Sequence, residues 1–283
     1  MGVFSRISNG WKMGTASLKI INKNKQLILF PIISSVFLFA VLASFAGIGY
    51  ASYGMEYMEF FEQGSTTDYL ITFVFYLISY FVIVFFNIGL VHCARIYFQG
   101  GEPKFSDGIK FSATRIPVIF SWSILGATVG LIIKAIQENS GSIGAIVSGL
   151  IGMVWSVATF FVVPVLAYEN LGPIEAVKRS GSIVKNKWGE SIGASFSFGI
   201  LTFLGMLLIA LPIGLILSMI NPMVGIIAGI ALVFLIQSVV SSAEMVFISS
   251  VYHQLVDEMP LQDYESDILD DLFIEKKKKG LLE

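Results

Sequence analysis

The sequence predicts an all-α polytopic membrane protein with six transmembrane helices, and three observations carry that expectation. First, 55% of the 283 residues are hydrophobic and only 13% are charged, with a mean hydropathy of +0.79. A soluble domain carries about 25% charged residues, so most of these side chains need lipid as their solvent. Second, uncharged apolar segments recur at the length that crosses a ~30 Å hydrocarbon core, about 20 helical residues. Third, a seven-residue phrase occurs three times: Asn9-Gly10-Trp11-Lys12-Met13-Gly14-Thr15, Asp107-Gly108-Ile109-Lys110-Phe111-Ser112-Ala113 and Glu175-Ala176-Val177-Lys178-Arg179-Ser180-Gly181. Each copy runs Asn or acid, small, apolar, Lys, any residue, small, small, and each precedes two long apolar segments.

These copies predict three parallel pseudo-repeats, each an amphipathic cytoplasmic surface helix followed by a helical hairpin. Repeat 1 covers 1–98, repeat 2 covers 99–168 and repeat 3 covers 169–253, together one membrane domain over 1–253. The second and third copies lie 68 positions apart, Asp107 to Glu175, each behind a Gly/Pro turn. The first is more distant, with extra length between its spans. Chance recurrence of a small, polar, Lys-bearing helix start at one membrane face is the competing explanation. Parallel repeats would set the chain apart from inverted-repeat transporters.

Taken in order, residues 1–25 carry Arg6, Lys12, Lys19, Lys23 and Lys25 and no acid. Phe4, Ile7, Trp11 and Leu18 share one helical face, which predicts a basic helix lying on the membrane; a disordered basic lead-in is the alternative. The first span is expected over 27–50. It is too long for the apolar region of a cleavable signal and is expected to be retained. Glu56, Glu59, Glu62 and Asp68 follow without a Lys or Arg, among Tyr50, Tyr53, Tyr57, Phe60 and Phe61 as in an interfacial aromatic belt.

The second span is expected over 69–91, continuing as helix towards Phe98 until Gly100-Gly101-Glu102-Pro103 stops it. Phe105–Arg115 is the second surface helix, with Ser106 or Asp107 as its cap. Spans three and four are expected over 116–136 and 143–168, with Lys134 snorkelling at the rim and Pro164 kinking the fourth. Asn170-Leu171-Gly172-Pro173 ends that span, and Ile174–Trp188 is the third surface helix. Residues 191–243 hold no charged side chain, and one helix of that length would run about 80 Å. Asn221-Pro222 is the natural break, giving spans over 191–220 and 223–249, the former bent at Pro212. In the tail, 254–283, Leu261, Tyr264, Ile268, Leu272 and Phe273 form an apolar stripe opposite an acidic face, followed by Lys276–Lys279.

Placing both termini and the loops near 92–115 and 169–190 on one side gives that side all but Lys134 of the 18 Lys and Arg. The positive-inside rule then puts both termini in the cytoplasm. The expected location is the cell inner membrane, with multiple passes.

Candidate chemistry is sparse. Gly189-Glu190-Ser191-Ile192-Gly193 matches a nucleophile-elbow pattern, but that motif needs a strand–turn–helix setting; here small residues at a membrane entry account for it. His92, Arg95, Glu169, Glu244 and His253 fall near helix ends at similar cytoplasmic depth. They are either rim residues pairing with Arg95 or headgroups, or a polar cluster that binds a substrate or headgroup. No metal-ligand spacing joins them, and the single Cys93 excludes an internal disulfide and any multi-cysteine metal site. No metal, cofactor or nucleic-acid partner is expected. The spacings Gly126-x-x-x-Gly130 and Gly225-x-x-x-Gly229 predict close helix packing, and Asn87 and Gln237 offer hydrogen bonds between helices. Membrane lipids are the expected partners. The 260–275 helix either docks on a protein, folds back on the chain's own surface, or stays disordered. Oligomeric state is left open.

Phe4-Ser5-Arg6-Ile7-Ser8-Asn9-Gly10-Trp11-Lys12 with Leu29-Phe30-Pro31, and Tyr168-Glu169-Asn170 with Gly172-Pro173-Ile174-Glu175-Ala176-Val177-Lys178-Arg179-Ser180, resemble a family of uncharacterised prokaryotic multi-pass membrane proteins over nearly the whole chain. The third unit is also similar, more distantly, to membrane domains attached to some bacterial glycerophosphodiester phosphodiesterases. These 283 residues leave no room for that catalytic domain, so its activity is not carried over. The resemblance implies a six-helix inner-membrane protein and supplies no catalytic residue. The expected function is a non-enzymatic scaffold or lipid-interacting partner of another component. A transporter or channel is the alternative, and a membrane enzyme ranks third.

Overall fold

The computed structural model describes residues 15–53, 66–139, 141–187 and 193–256. Among these residues the secondary structure is helical, without a strand. Six helices are long and apolar enough to cross a membrane: Lys25–Ala51, Thr66–Phe98, Ile116–Asn139, Ile143–Tyr168, Phe198–Ser218 and Pro222–Val256. Hydrocarbon offers backbone groups no partner, so a spanning segment must satisfy them internally, as a helix does. The first copy of the phrase up to Gly14, the Ser191 motif up to Ile192 and the tail from Asp257, on which the 260–275 helix is expected, lie outside the described residues.

The elements are α1 (15–23); a 3₁₀ turn Lys25–Ile28, α2 (Leu29–Tyr53), α3 (Thr66–Phe98), α4 (Phe105–Thr114), α5 (Ile116–Asn139), α6 (Gly141–Ala158), α7 (Val162–Tyr168), α8 (Pro173–Lys187), α9 (Gly193–Gly205), a π turn Met206–Ala210, α10 (Leu211–Ser218) and α11 (Pro222–Val256). They group into two compact units, residues 24–182 and residues 1–23 with 183–283.

In the first unit α3 is the central element, packing against α2, α4, α5 and α7. Its buried residues, Val84 to Phe98, all belong to its second half. The first half is mostly of intermediate burial, with a few exposed apolar positions such as Leu70, 63% exposed. α5 and α6 form a hairpin in which Trp122 and Trp155 stack at 5.8 Å. The fourth span is broken: the chain leaves α6 at Ala158 and resumes helix at Val162. Pro164 explains the place, because its ring collides with the carbonyl of residue 160 and it has no N–H to donate.

In the second unit α9 and α10 fold back on α11. Pro212 acts on the preceding turn, where the Leu211 N–H donates to the Met206 carbonyl as a π turn. Asn221 begins α11 as expected: its Oδ1 accepts the Met223 N–H at 2.9 Å, and Pro222 takes the first helical position.

Candidate functional site

The site is built where α3 ends. Gly100, with φ 80°, takes the left-handed conformation that lets a helix close on itself. Its N–H donates to Tyr97 O and that of Gly101 donates to Ile96 O, both at 2.9 Å. Pro103 then directs the chain back, and its carbonyl accepts a hydrogen bond from the Gln26 amide. α4 starts with Asp107 rather than Ser106 organising its first turn, the carboxylate accepting the Lys104 N–H at 3.2 Å. So α4 returns across α3, and two glycines set the crossing. A methyl group on Gly108 would stand 2.6 Å from the Gly89 carbonyl and against the Phe30 ring. The Ser112 hydroxyl fastens the helix by donating to Phe85 O at 2.7 Å.

This crossing lays Phe111 flat on His92, with ring centroids 3.9 Å apart and planes 3° from parallel. Arg115 lies 5.6 Å from the Phe111 centroid. Tyr168, the last residue of α7, sits 5.8 Å from Phe111 and donates its hydroxyl to Val91 O at 3.4 Å. Arg95, one turn on from His92, covers the Tyr168 ring at 4.4 Å. Three helices thus meet through alternating rings and guanidinium groups, each such contact contributing about 0.5–1 kcal/mol where water reaches it. Next to Tyr168, Glu169 accepts the Arg179 Nε–H, 2.9 Å from both carboxylate oxygens; its ion-pair partner on α8 is therefore Arg179.

α8 is seated in a related way. Ala176 and Ser180 are fully buried, and Ser180 Oγ accepts the Phe161 N–H at 2.9 Å. That bond satisfies a backbone donor freed by the break in the fourth span. Lys110 and Lys178, by contrast, are exposed on the outer faces of α4 and α8. Lys12 lies outside the described residues.

Of the predicted rim residues, His92 and Arg95 come together with α4 and α7, and Glu169 joins through Tyr168. Glu244 and His253 stand on α11 in the other unit, Glu244 half-buried and His253 fully buried, its ring 5.4 Å from that of Tyr252. Among the described residues no three His, Cys, Asp or Glu side chains gather as a metal ion would require. Cys93 is buried, its thiol donating to Lys104 O at 3.3 Å.

At the other end of α3 lies a cluster that sequence reasoning missed. Lys134 Nζ is 2.7 Å from Asp68 Oδ2 and 3.6 Å from Glu138 Oε1, and it donates to Thr72 Oγ1 at 3.0 Å. Asn139 donates to the Tyr69 hydroxyl at 3.1 Å. The rise from Asp68 to His92 is about 36 Å at 1.5 Å per residue, slightly more than the hydrocarbon thickness. The two clusters therefore suit opposite headgroup layers. Spacing is the signal that was available: Asp68, Thr72, Tyr76 and Tyr80 recur every fourth residue on α3, and Gly126, Gly130, Lys134 and Glu138 do so on α5.

No curated protein matches the sequence. Residues 66–260 match the model of a Family of unknown function (DUF6159), a stretch holding five of the six candidate spans and both clusters of α3, and the chain belongs to that family.

Proposed function

We propose that the protein is a non-enzymatic scaffold of the cell inner membrane whose basic end engages anionic phospholipid headgroups, with both termini cytoplasmic. The observation that carries this reading is the two-sidedness of the short helices. Each buries small residues against its own unit, Gly108 with Ser112 and Ala176 with Ser180, and each turns a lysine outward, Lys110 and Lys178. Exposed apolar residues flank them: Ile116 at 44%, Phe120 at 50% and Ile174 at 54%. Apolar groups beside an exposed lysine suit an interfacial depth, where the amine meets phosphate and the hydrocarbon meets acyl chains.

The parallel pseudo-repeat gains support from the same pair, since Ser112 and Ser180 occupy one position of the phrase and both bond a backbone group of the preceding span. The segment 260–275, whose sequence predicts an amphipathic helix, is retained as the docking element for a protein partner. A transporter is the second reading, and half-buried Glu244 within the apolar α11 favours it.

The experiment is native mass spectrometry of protein released from nanodiscs of equal phosphatidylglycerol and phosphatidylcholine. Wild type is expected to retain the anionic lipid preferentially. A Lys near the surface contributes about 1 kcal/mol, so each of Lys110→Gln and Lys178→Gln lowers that preference by about fivefold. Unchanged preference in the double variant, or solute flux in proteoliposomes abolished by Glu244→Gln, would replace this reading with the second.

A further inference from the structure

We infer that α11 carries a self-association seam, and that a second copy of this chain packs on it within the membrane. Met223, Ile226, Ile230, Val233 and Gln237 recur at alternating steps of three and four residues. All five are exposed, the apolar ones at 65%, 59%, 66% and 37%. That is the a/d pattern of a left-handed helix pair, kept over two heptads with a polar residue at one a position. α9 and α10 use a different face of α11: Gly225 and Gly229 meet Gly214, and Ile236 meets Gly205.

Gln237 turns this from a lipid-facing stripe into an interface. Counting from Val224, its Cα lies about 20 Å into the ~30 Å core. Helical side chains lean towards the N-terminus of their helix, so the amide leans away from the nearer headgroup layer and deeper into hydrocarbon. A primary amide without partners there is costly. Its composition also points to the occupant. An amide has two donors and a carbonyl acceptor, so two copies of Gln237 related by a twofold axis along the membrane normal satisfy each other. Copies inserted with one topology present their α11 helices in parallel, the arrangement in which one polar a residue sets the register.

The test uses the full chain at low density in phosphatidylcholine bilayers, with stoichiometry read by single-molecule photobleaching. Two-step traces are expected for wild type. Gln237→Leu keeps the seam apolar and removes the hydrogen bonds, and it lowers the association constant by about three- to tenfold. Oxidative cross-linking gives a second readout. Gln237→Cys yields a covalent dimer, whereas Leu235→Cys, exposed at 48% on another face, does not; buried Cys93 stays in place. A monomeric wild type, or equal cross-linking at the two positions, overturns the seam and leaves the headgroup reading of α4 and α8 untouched.

Discussion

Two glycine pairs of the same spacing do different work in this protein. On α5, Gly126 and Gly130 face aromatic rings: an added methyl group would lie 3.3 Å from the Tyr80 ring and 3.0 Å from the Tyr76 ring, respectively. On α11, Gly225 faces main chain: the same methyl group would stand 2.5 Å from the Ser218 nitrogen and 2.6 Å from the Gly214 carbonyl oxygen. A small-xxx-small spacing marks close approach in both, but the partner decides what the glycine is for. Opposite a ring it shapes a socket for a side chain. Opposite a backbone it is the condition for the helices to meet at all. The α3–α5 contact also has a second fastening, the Lys134 cluster, for which the described α10–α11 contact has no ionic counterpart.

The largest expected effect is at Gly225. Its neighbours are backbone atoms of the same hairpin and the Ser218 Cβ, which no side-chain rotation moves, so Gly225→Ala must part α10 from α11 or unwind the turn at Asn221. Overpacking in a tight core costs about 1–3 kcal/mol, and the upper end applies where no side chain is able to rotate away. A drop of about 3 kcal/mol in SDS-induced unfolding of the purified protein is expected. A loss below about 1 kcal/mol would mean that this contact is as compliant as the ring-lined one.

The next effect is at the polar fastening. Lys134→Met leaves the Asp68 carboxylate, 15% exposed, without its closest cation. Breaking a buried pair costs about 3–5 kcal/mol, and with water reaching both side chains here about 2 kcal/mol is expected. Neutralising that carboxylate as well, in Asp68→Asn with Lys134→Met, should recover at least half of that loss. If the double variant is no more stable than Lys134→Met alone, the cluster is not what fastens α3 to α5.

The contrast also separates what was legible in the sequence from what was not. Spans and breaks were legible because their causes are local. Hydrocarbon thickness sets helix length, Gly100 supplies the left-handed residue that ends α3, and Asn221-Pro222 restarts the chain. Pro164 and Pro212 announced bends, and the distortions fall just upstream of each because that is where a proline ring and its missing N–H act. Partners were not legible. Lys134 looked like a snorkelling rim residue, since its acid lies 66 positions away on an antiparallel helix. Phe111 occupied the unconstrained position of the repeated phrase, and only the Gly89–Gly108 crossing brings it onto His92. His92, Arg95 and Glu169 were visible as ionisable groups at helix ends. Their pairing depends on interhelical register, which one chain's periodicity leaves open.

The smallest expected effect, and the sharpest test of the comparison, is at Gly126. In Gly126→Ala the new methyl group comes within 3.3 Å of Tyr80, and a ring on two rotatable bonds is able to yield a few tenths of an ångström. Against that small cost stands the gain of about 0.5–1 kcal/mol when Ala replaces Gly inside a helix. The two terms nearly cancel, so the unfolding free energy should stay within about 0.5 kcal/mol of wild type. The same Ala substitution at Gly225 gains equally in propensity, so the difference between the variants isolates what each glycine faces. Gly126→Ala as damaging as Gly225→Ala would show that the tyrosine face of α3 is as unyielding as a backbone.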